Sequence, residues 1–205
     1  MVRLQEYLNS KGYNLKPDGL IGEKTKTALW NYIFITYKEK KYRSTNKMIV
    51  WIRTNEDLTN SYDDFCVLVI DLEVIYVCKA TTTAGDHYIF NPITSGGITG
   101  TAITAKQQIV ESHEFTTSKN WSTLWLGMPY FKQVMPLTIY RDWNKDRHIN
   151  TLKKTFGIYG INLHQMGLGN FINNWSAGCN GTSKADWNKI IEYFSAGEKI
   201  DYTLI

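Results

Sequence analysis

The chain has 205 residues, of which 43% are hydrophobic and 20% are charged, and its formal net charge is +4 at pH 7. This composition excludes a disordered chain, and the length suits one sizeable core with a small appended unit. The positive excess favours approach to an anionic surface, but no long basic block indicates a nucleic-acid partner. No apolar run is long enough to span a membrane, and no early run has the pattern of a secretory signal.

The first 42 residues have the pattern of a helix, a loop and a second helix. The loop at residues 17–22 contains Pro and two Gly, and a charged run at residues 38–43 is typical of a solvated helix end or a linker. The apolar positions at helical spacing on either side of the loop are Leu4, Leu8, Ala28 and Leu29. We therefore predict a small helical unit at residues 1–42.

The loop of this unit has a defined set of turn-forming residues. Asp18 can accept backbone amide hydrogens, Gly19 and Gly22 can adopt positive φ, and Thr25 opens the next helix. After a Leu-Gln start, this Asp-Gly-x-x-Gly-x-x-Thr pattern resembles the peptidoglycan-binding type 1 module. The resemblance implies that Asp18, Gly19, Gly22 and Thr25 belong to a wall-binding unit. The alternative is an ordinary helical hairpin packed on the main domain.

Two apolar runs, at residues 65–70 and 74–78, indicate a β-hairpin centred near Leu72. In that register Cys66 lies opposite Cys78, and both faces of the hairpin are apolar, as in strands buried within a sandwich. Three cysteines are too few for a disulfide framework. We expect two reduced core cysteines, with a cross-strand disulfide as the alternative.

The remainder of the second domain, residues 46–205, is predicted to be mainly β with peripheral helices. Residues 79–92 are β-rich, and residues 134–140 contain the apolar and β-branched residues of another strand. Residues 184–194 have apolar positions at helical spacing after Ser183, which is a favourable N-cap. The fold class is therefore α+β, without the strand–helix alternation of a doubly wound sheet.

Two segments near the end of the chain carry the candidate chemistry. An apolar run ends at His164, and fifteen positions later Cys179 directly follows Gly178. An imidazole beside a thiol can take its proton and stabilise the thiolate, as a cysteine nucleophile requires. The glycine permits a tight turn, so that backbone amides at residues 178–180 can face a developing oxyanion. A buried, inert cysteine is the alternative, but the turn-forming flanks favour a loop.

This arrangement resembles the active-site signature of the L,D-transpeptidase (YkuD-type) family, in which a histidine precedes Ser or Thr, any residue, Gly and Cys. The matching positions are His164, Ser176, Ala177, Gly178 and Cys179. Residues 140–146 also resemble YkuD-like domains of bacteriophages. The chain departs from the family at Gln165, where Gly or Ser is common, and at Gly181, where Arg or Asn is common. We expect Asn180 to supply the missing polar group from one position earlier.

The resemblance implies an L,D-transpeptidase-like catalytic domain of β-sandwich type that performs acyl transfer through a thioester. Cys179 would attack a carbonyl of a peptidoglycan stem peptide, His164 would move the proton, and Ser176 would orient the loop or bond the imidazole. Gly178 would shape the oxyanion site, and the expected substrate contacts are Trp175, Gln165 and Asn180. No cofactor is expected, and no metal site, because the histidines are scattered without zinc spacing.

Together the two resemblances predict a lytic, endolysin-like peptidase that acts on peptidoglycan as a monomer, without a nucleic-acid partner or membrane insertion. The alternatives are a cross-linking or exchange transpeptidase, an exported wall-targeting toxin, and a non-catalytic wall-binding protein. Because no secretory signal is found, we expect synthesis in the cytoplasm. Action on the wall would then follow release, as for a phage lysin, or dedicated export.

Overall fold

The structure, a computed structural model, describes residues 1–37, 46–93, 99–117, 127–149, 154–167 and 169–205. The helices in these residues are α1 (Val2–Ser10), α2 (Glu23–Tyr37), α3 (Asp86–Phe90) and α4 (Lys184–Ile191). The strands are β1 (Lys47–Ile52), β2 (Asp64–Ile70), β3 (Glu73–Thr81), β4 (Thr101–Thr104), β5 (Gln107–Thr116), β6 (Tyr130–Gln133), β7 (Leu137–Asp142), β8 (Lys154–Gly157), β9 (Leu163–Gln165), β10 (Asn180–Thr182) and β11 (Lys199–Leu204). None of the described helices combines the length and apolar character needed to cross a membrane. The predicted mainly β organisation with few helices is confirmed for the described residues.

Eight of these strands close into a barrel in the order β1, β11, β5, β6, β9, β10, β3, β2. Closure depends on the parallel pairing of β1 with β11, in which Met48 lies opposite Asp201 and Trp51 lies opposite Leu204. The predicted β-sandwich is therefore wrong, because two opposed sheets would leave edges that the barrel pairs. Local apolar patterns mark the strands, but they do not specify which distant strands become neighbours.

The hairpin of β2 and β3 has the predicted pairing of Cys66 with Cys78, and its register shifts by one residue between Leu68 and Val69. Its turn is formed by Asp71 and Leu72, whose φ values are 50° and 68°. Two central residues at positive φ give a turn whose twist matches the strands it joins. Both cysteines lie in the barrel core, and neither forms a disulfide.

A second sheet, in the order β4, β7, β8, packs against the barrel. Its residues Ala102, Leu137 and Ile139 belong to the same apolar cluster as the barrel interior. The strand predicted at residues 134–140 begins later, at the start of β7, and continues to Asp142. This sheet forms one wall of the cleft described below.

The segment at residues 86–90 forms α3, so the prediction that residues 79–92 are β-rich is wrong beyond β3. The backbone carbonyl of Gly85 accepts hydrogen bonds from the amides of Tyr88 and Ile89. The Asp86 amide donates to Oδ1 of Asn60 at 3.1 Å. Because Asn60 is distant in sequence, the contact that supports this helical turn is absent from the local pattern.

The helices α1 and α2 lie where the N-terminal helix, loop and helix are predicted, and both helices pack on the outside of β1, β2 and β3. Their buried apolar residues share one cluster with those strands, so the helices do not have a separate core. The helix residues of this cluster are Leu4, Leu8, Ala28, Leu29 and Ile33, and their strand neighbours include Val50, Phe65 and Val67. The predicted linker at residues 38–43 lies outside the described residues.

The closing helix α4 has the predicted N-cap. Oγ of Ser183 accepts a hydrogen bond from the Asp186 amide at 3.2 Å, which satisfies one of the unpaired donors at a helix start. The helix buries Trp187 and Ile190 and ends at residue 191, three residues earlier than the apolar spacing predicted. It packs on β9 and β10, the two strands that carry the candidate site.

Candidate active site

Two short parallel strands bring the predicted nucleophile and base together. In the register of β9 and β10, His164 lies opposite Gly181. Cys179 is two residues before Gly181, so its side chain is on the same face of the pair as His164, because side chains alternate along a strand. Both side chains line one cleft of about 220 Å³. Residues separated by fifteen positions therefore line one cleft, because β9 and β10 are neighbours.

The cleft, called the candidate cleft below, lies between the barrel and the second sheet. Its lining residues are Tyr88, Ile93, Thr101, Ala102, Arg141, Tyr159, Gly160, Ile161, His164, Asn174, Trp175, Ala177 and Cys179. Most of these side chains are apolar or aromatic, with a small number of polar groups among them. Such a lining is typical of a site that binds an organic ligand.

The imidazole of His164 has a fixed tautomer. Its Nδ1 lies 2.6 Å from the backbone carbonyl oxygen of Gln165 and donates to it, which leaves the basic lone pair on Nε2. Burial lowers the pKa of His164 to about 4, although the hydrogen bond to Gln165 acts in the opposite direction. At neutral pH the ring is therefore uncharged and can act as a base.

Cys179 is 8% exposed, and its thiol is held between two backbone groups. Its Sγ accepts a hydrogen bond from the Asn162 amide at 3.4 Å and donates to the Gly160 carbonyl at 3.5 Å. Burial raises the pKa of Cys179 to about 11, against the opposing effect of the Asn162 amide. The resting pair is therefore a neutral thiol and a neutral imidazole.

Ser176 holds the turn that presents the thiol. Its Oγ lies 2.8 Å from the carbonyl oxygen of Cys179 and 3.2 Å from that of Thr83, and it accepts the Gly178 amide at 3.1 Å. These contacts supply the first of the two roles expected for Ser176, orientation of the loop.

Gly178 is required by the close approach of the turn to the second sheet. Its φ is 134°, and a Cβ at this position would lie 2.6 Å from the carbonyl oxygen of Ala102. Both the backbone conformation and the missing space exclude larger residues. The strand-to-turn geometry around Cys179 therefore depends on a glycine, as the sequence indicated.

Backbone amides that were predicted to face the oxyanion already donate hydrogen bonds within the protein. The Gly178 amide already donates to Ser176, and the Asn180 amide donates to the carbonyl of Asn162 at 3.2 Å. Two of the three predicted amides are therefore committed to holding the turn and pairing β10 with β9. The Asn162 amide, which contacts the sulfur, was not among the predicted donors, since only the parallel strand pairing places it beside Cys179.

Two of the three expected substrate contacts do not line the candidate cleft. Trp175 lines it, but Asn180 is fully buried and donates from Nδ2 to the Tyr202 hydroxyl at 2.7 Å. The side chain of Gln165 is also buried and donates to the sulfur of Met128. Both predictions are wrong because side chains alternate along β9 and β10, which directs the neighbours of His164 and Cys179 away from the cleft.

The departure from the family pattern at Gly181 has a steric reason. A Cβ at this position would collide with the carbonyl oxygen of His164 and with the side chain of Met166. No Arg or Asn can stand here while β9 and β10 keep their present spacing. Asn180 does not replace that polar group, because its side chain lies on the opposite face.

The residues of the N-terminal loop are held together by the buried side chain of Gln5. Its Nε2 lies within hydrogen-bond distance of Asp18 Oδ1 and Thr25 Oγ1, and its Oε1 accepts the Gly19 amide. Gly19 has φ of 80°, whereas Gly22 does not adopt positive φ, contrary to expectation. These polar groups thus fix the shape of the loop, which borders an open pocket of about 610 Å³.

Within the described residues, no group of three or more His, Cys, Asp or Glu side chains is arranged to hold a metal ion.

No family model matches the chain, and no curated protein matches it in sequence. Among solved structures, an L,D-transpeptidase from Xylanimonas cellulosilytica DSM 15894 is 18% identical, with a TM-score of 0.43 over 100% of this chain and 92% of that chain.

An L,D-transpeptidase (Yku) from Stackebrandtia nassauensis is 14% identical, with a TM-score of 0.37 over 100% of this chain and 89% of that chain. A cysteine-to-serine mutant of an Enterococcus faecium L,D-transpeptidase is 11% identical, with a TM-score of 0.32 over 78% of this chain and 50% of that chain.

Proposed function

We propose that the chain is a cysteine enzyme that acts on the stem peptides of peptidoglycan, with lytic cleavage as its main activity. The observation that carries this proposal is that Cys179 and His164 line one cleft, with the basic nitrogen of the imidazole fixed as Nε2. The Ser-x-Gly-Cys turn that holds the thiol resembles the L,D-transpeptidase signature. A nucleophile, a base and an orienting group for that base are the minimum set for covalent acyl transfer.

In the proposed reaction, Sγ of Cys179 attacks a peptide carbonyl carbon while Nε2 of His164 accepts the thiol proton. The same nitrogen then donates that proton to the leaving amine, the C–N bond breaks, and a thioester remains on the enzyme. Attack by water restores the thiol and releases a carboxylic acid, whereas attack by an amine forms a new amide. The two outcomes are hydrolysis and cross-linking, respectively.

The resting charges favour proton transfer during the attack rather than before it. The thiol pKa of about 11 and the imidazole pKa of about 4 differ by roughly 7 units, or about 10 kcal/mol, before the attraction between the two ions is counted. A separate thiolate–imidazolium pair is therefore disfavoured in the empty cleft. The Asn162 amide stabilises negative charge as it develops on the sulfur.

We also propose that the N-terminal loop contacts the wall, since its Asp18, Gly19, Gly22 and Thr25 match the peptidoglycan-binding pattern. The open pocket beside the loop is lined by Lys16 and Lys24 and also by Asp18 and Glu23, so it offers polar groups of both charges to a ligand. The resemblance of the N-terminal loop and that of the Cys179 turn, in separate parts of the chain, then both point to peptidoglycan. The likeness of residues 140–146 to phage domains supports lytic use by a protein that is made in the cytoplasm and released to the wall, and we propose that it acts as a monomer.

The test is incubation of the wild type and Cys179→Ala with defined muropeptides, followed by mass spectrometry of products and protein. We expect cleavage and a transient covalent adduct on Cys179 in the wild type and neither in Cys179→Ala. Cys66→Ala is the matched control, because Cys66 is a buried core thiol outside the candidate cleft. Retained cleavage in Cys179→Ala refutes the proposed nucleophile, and binding to purified sacculi without turnover by the wild type would assign a wall-binding role instead.

A further inference from the structure

The guanidinium of Arg141 is a buried cation in the wall of the candidate cleft. Arg141 lies on β7 and is 3% exposed. Its Nη1 donates to the carbonyl of Gly100 at 3.1 Å. The described part of the chain supplies no hydrogen-bond partner for its Nε and Nη2. The ring of Tyr159 lies against the group, with 5.3 Å between its centroid and Cζ of Arg141.

Arg141 is connected to Cys179 through the packing of Ala102 and Gly178. In the pairing of β4 with β7, Arg141 lies opposite Ala102. Gly178 packs directly on the backbone of Ala102, and Cys179 follows it. The guanidinium and the thiol therefore line the same small cleft from its two walls.

Among the described residues that line the cleft, Arg141 alone carries a full charge at neutral pH. His164 is uncharged there because burial lowers its pKa to about 4. The adjacent carboxyl group of Asp142 does not lie among the cleft-lining groups, and its Oδ1 accepts the Lys145 amide at 2.9 Å instead. A buried guanidinium with one carbonyl partner is costly, since a charge removed from water is stabilised only by paired groups.

The two nitrogens without partners define the geometry of what would bind. The N–H bonds of Nε and Nη2 lie along one edge of the guanidinium plane and point in the same direction, so they match the two oxygens of a carboxylate. Tyr159 covers the group from a segment between β8 and β9 that has no strand pairing.

We infer that Arg141 binds a free carboxylate of the peptide whose carbonyl is attacked by Cys179. This inference rests on the proposed function and specifies its substrate class: peptides with an unmodified carboxylate next to the reacting carbonyl, in preference to the corresponding carboxamides. Arg141 is thus a specificity residue that positions the acyl donor through a bidentate ion pair.

The test measures binding rather than turnover, so Cys179→Ala serves as the background for all proteins. The ligands are two synthetic stem peptides that differ only in having free carboxylates or carboxamides, and their Kd values are measured by calorimetry. We expect at least about tenfold tighter binding of the acid, as for a charge-assisted bidentate pair. Adding Arg141→Gln should abolish this preference, and Arg141→Lys should retain only part of it, because the fork geometry is lost.

The matched control is Arg3→Gln, which removes a positive charge from α1, outside the candidate cleft, and should keep the full preference. If the Cys179→Ala protein, in which Arg141 is intact, binds both peptides equally, the inference is overturned. A preference for the acid peptide that survives in a folded Arg141→Gln protein, or that is undiminished in Arg141→Lys, overturns it as well. The proposed function is tested separately by the covalent adduct on Cys179 of the wild type. If the adduct forms, the proposed function stands even when the inference about Arg141 fails, and if it does not form, the proposed function is refuted.

Discussion

Acidification should destabilise the fold through His113, a buried histidine outside the candidate cleft. Its Nε2 donates to the carbonyl of Ile161 at 2.8 Å, and Nδ1 lies 2.9 Å from Oγ of Ser112. Burial lowers the pKa of His113 from 6.5 to about 4. The unfolded chain therefore binds a proton below pH 6.5, whereas the folded chain does so only near pH 4. The stabilisation from the neutral ring is complete above pH 6.5 and is lost as the pH falls toward 4.

The magnitude follows from the linkage between proton binding and folding. With these two pKa values, the contribution of His113 to the free energy of unfolding falls by roughly 2 kcal/mol between pH 7 and pH 5. That loss is a large part of the 5 to 15 kcal/mol by which domains are typically stable. His164 has the same sign, because its pKa is also lowered to about 4. Asp64 has the opposite effect on stability. Burial raises its pKa to about 6, so the folded state takes up the proton at a higher pH than the unfolded chain does, and acidification through this group stabilises the fold.

The assay is urea unfolding of the wild type and His113→Gln at pH 7, 6 and 5. The glutamine amide can still donate to Ile161 but does not titrate, and the contributions of His164 and Asp64 cancel when the two proteins are compared. We expect the wild type to lose roughly 2 kcal/mol more than the variant between pH 7 and pH 5. Parallel pH dependences in the two proteins would refute the reasoning that His113 is held neutral by burial.

Three further outcomes concern the candidate site. The rate of peptide cleavage should stay constant from roughly pH 8 to pH 5 and fall only near pH 4, because His164 must be neutral and its pKa is lowered to about 4; an acidic limb near pH 6.5 in initial rates would contradict this. Gly178→Ala should abolish cleavage with secondary structure retained by circular dichroism, since its Cβ would lie 2.6 Å from the Ala102 carbonyl oxygen. The control is Gly197→Ala, which also has positive φ but no atom within 4 Å of the new Cβ, and an equal loss of activity there would contradict the steric argument. Ser176→Ala should lower the free energy of unfolding by about 1 to 3 kcal/mol in urea, because the Gly178 amide and two carbonyl groups lose their buried partner; unchanged stability would show that water replaces the hydroxyl.

The sequence predicted well where neighbouring residues decide the conformation. The predicted pairing of Cys66 with Cys78 follows from the two-residue turn at Asp71 and Leu72 together with a one-residue register shift between Leu68 and Val69. The start of α4 follows from the cap at Ser183. The His164 and Cys179 segments were also recognisable, since the motif places a glycine directly before the thiol. In each case the physical cause is a turn, a cap or a backbone conformation formed within a few residues.

Predictions about side-chain direction failed where the strand face was unknown. Asn180 and Gln165 are adjacent in sequence to the candidate catalytic residues, but alternation on β10 and β9 buries both side chains on the other face. The helical turn of α3 depends in part on Asn60, more than twenty residues earlier. Neither the face of a short strand nor a distant hydrogen-bond partner is encoded in local spacing.

The sequence by itself therefore determined most of the local elements and supplied the candidate thiol and imidazole. The tertiary structure decided that β1 and β11 close a barrel, that Arg141 joins the cleft, and that the amides of Gly178 and Asn180 are already used. The reason is physical: turns and caps are fixed by hydrogen bonds within a few residues, whereas strand partners, burial and the resulting pKa shifts depend on packing between residues far apart in the chain.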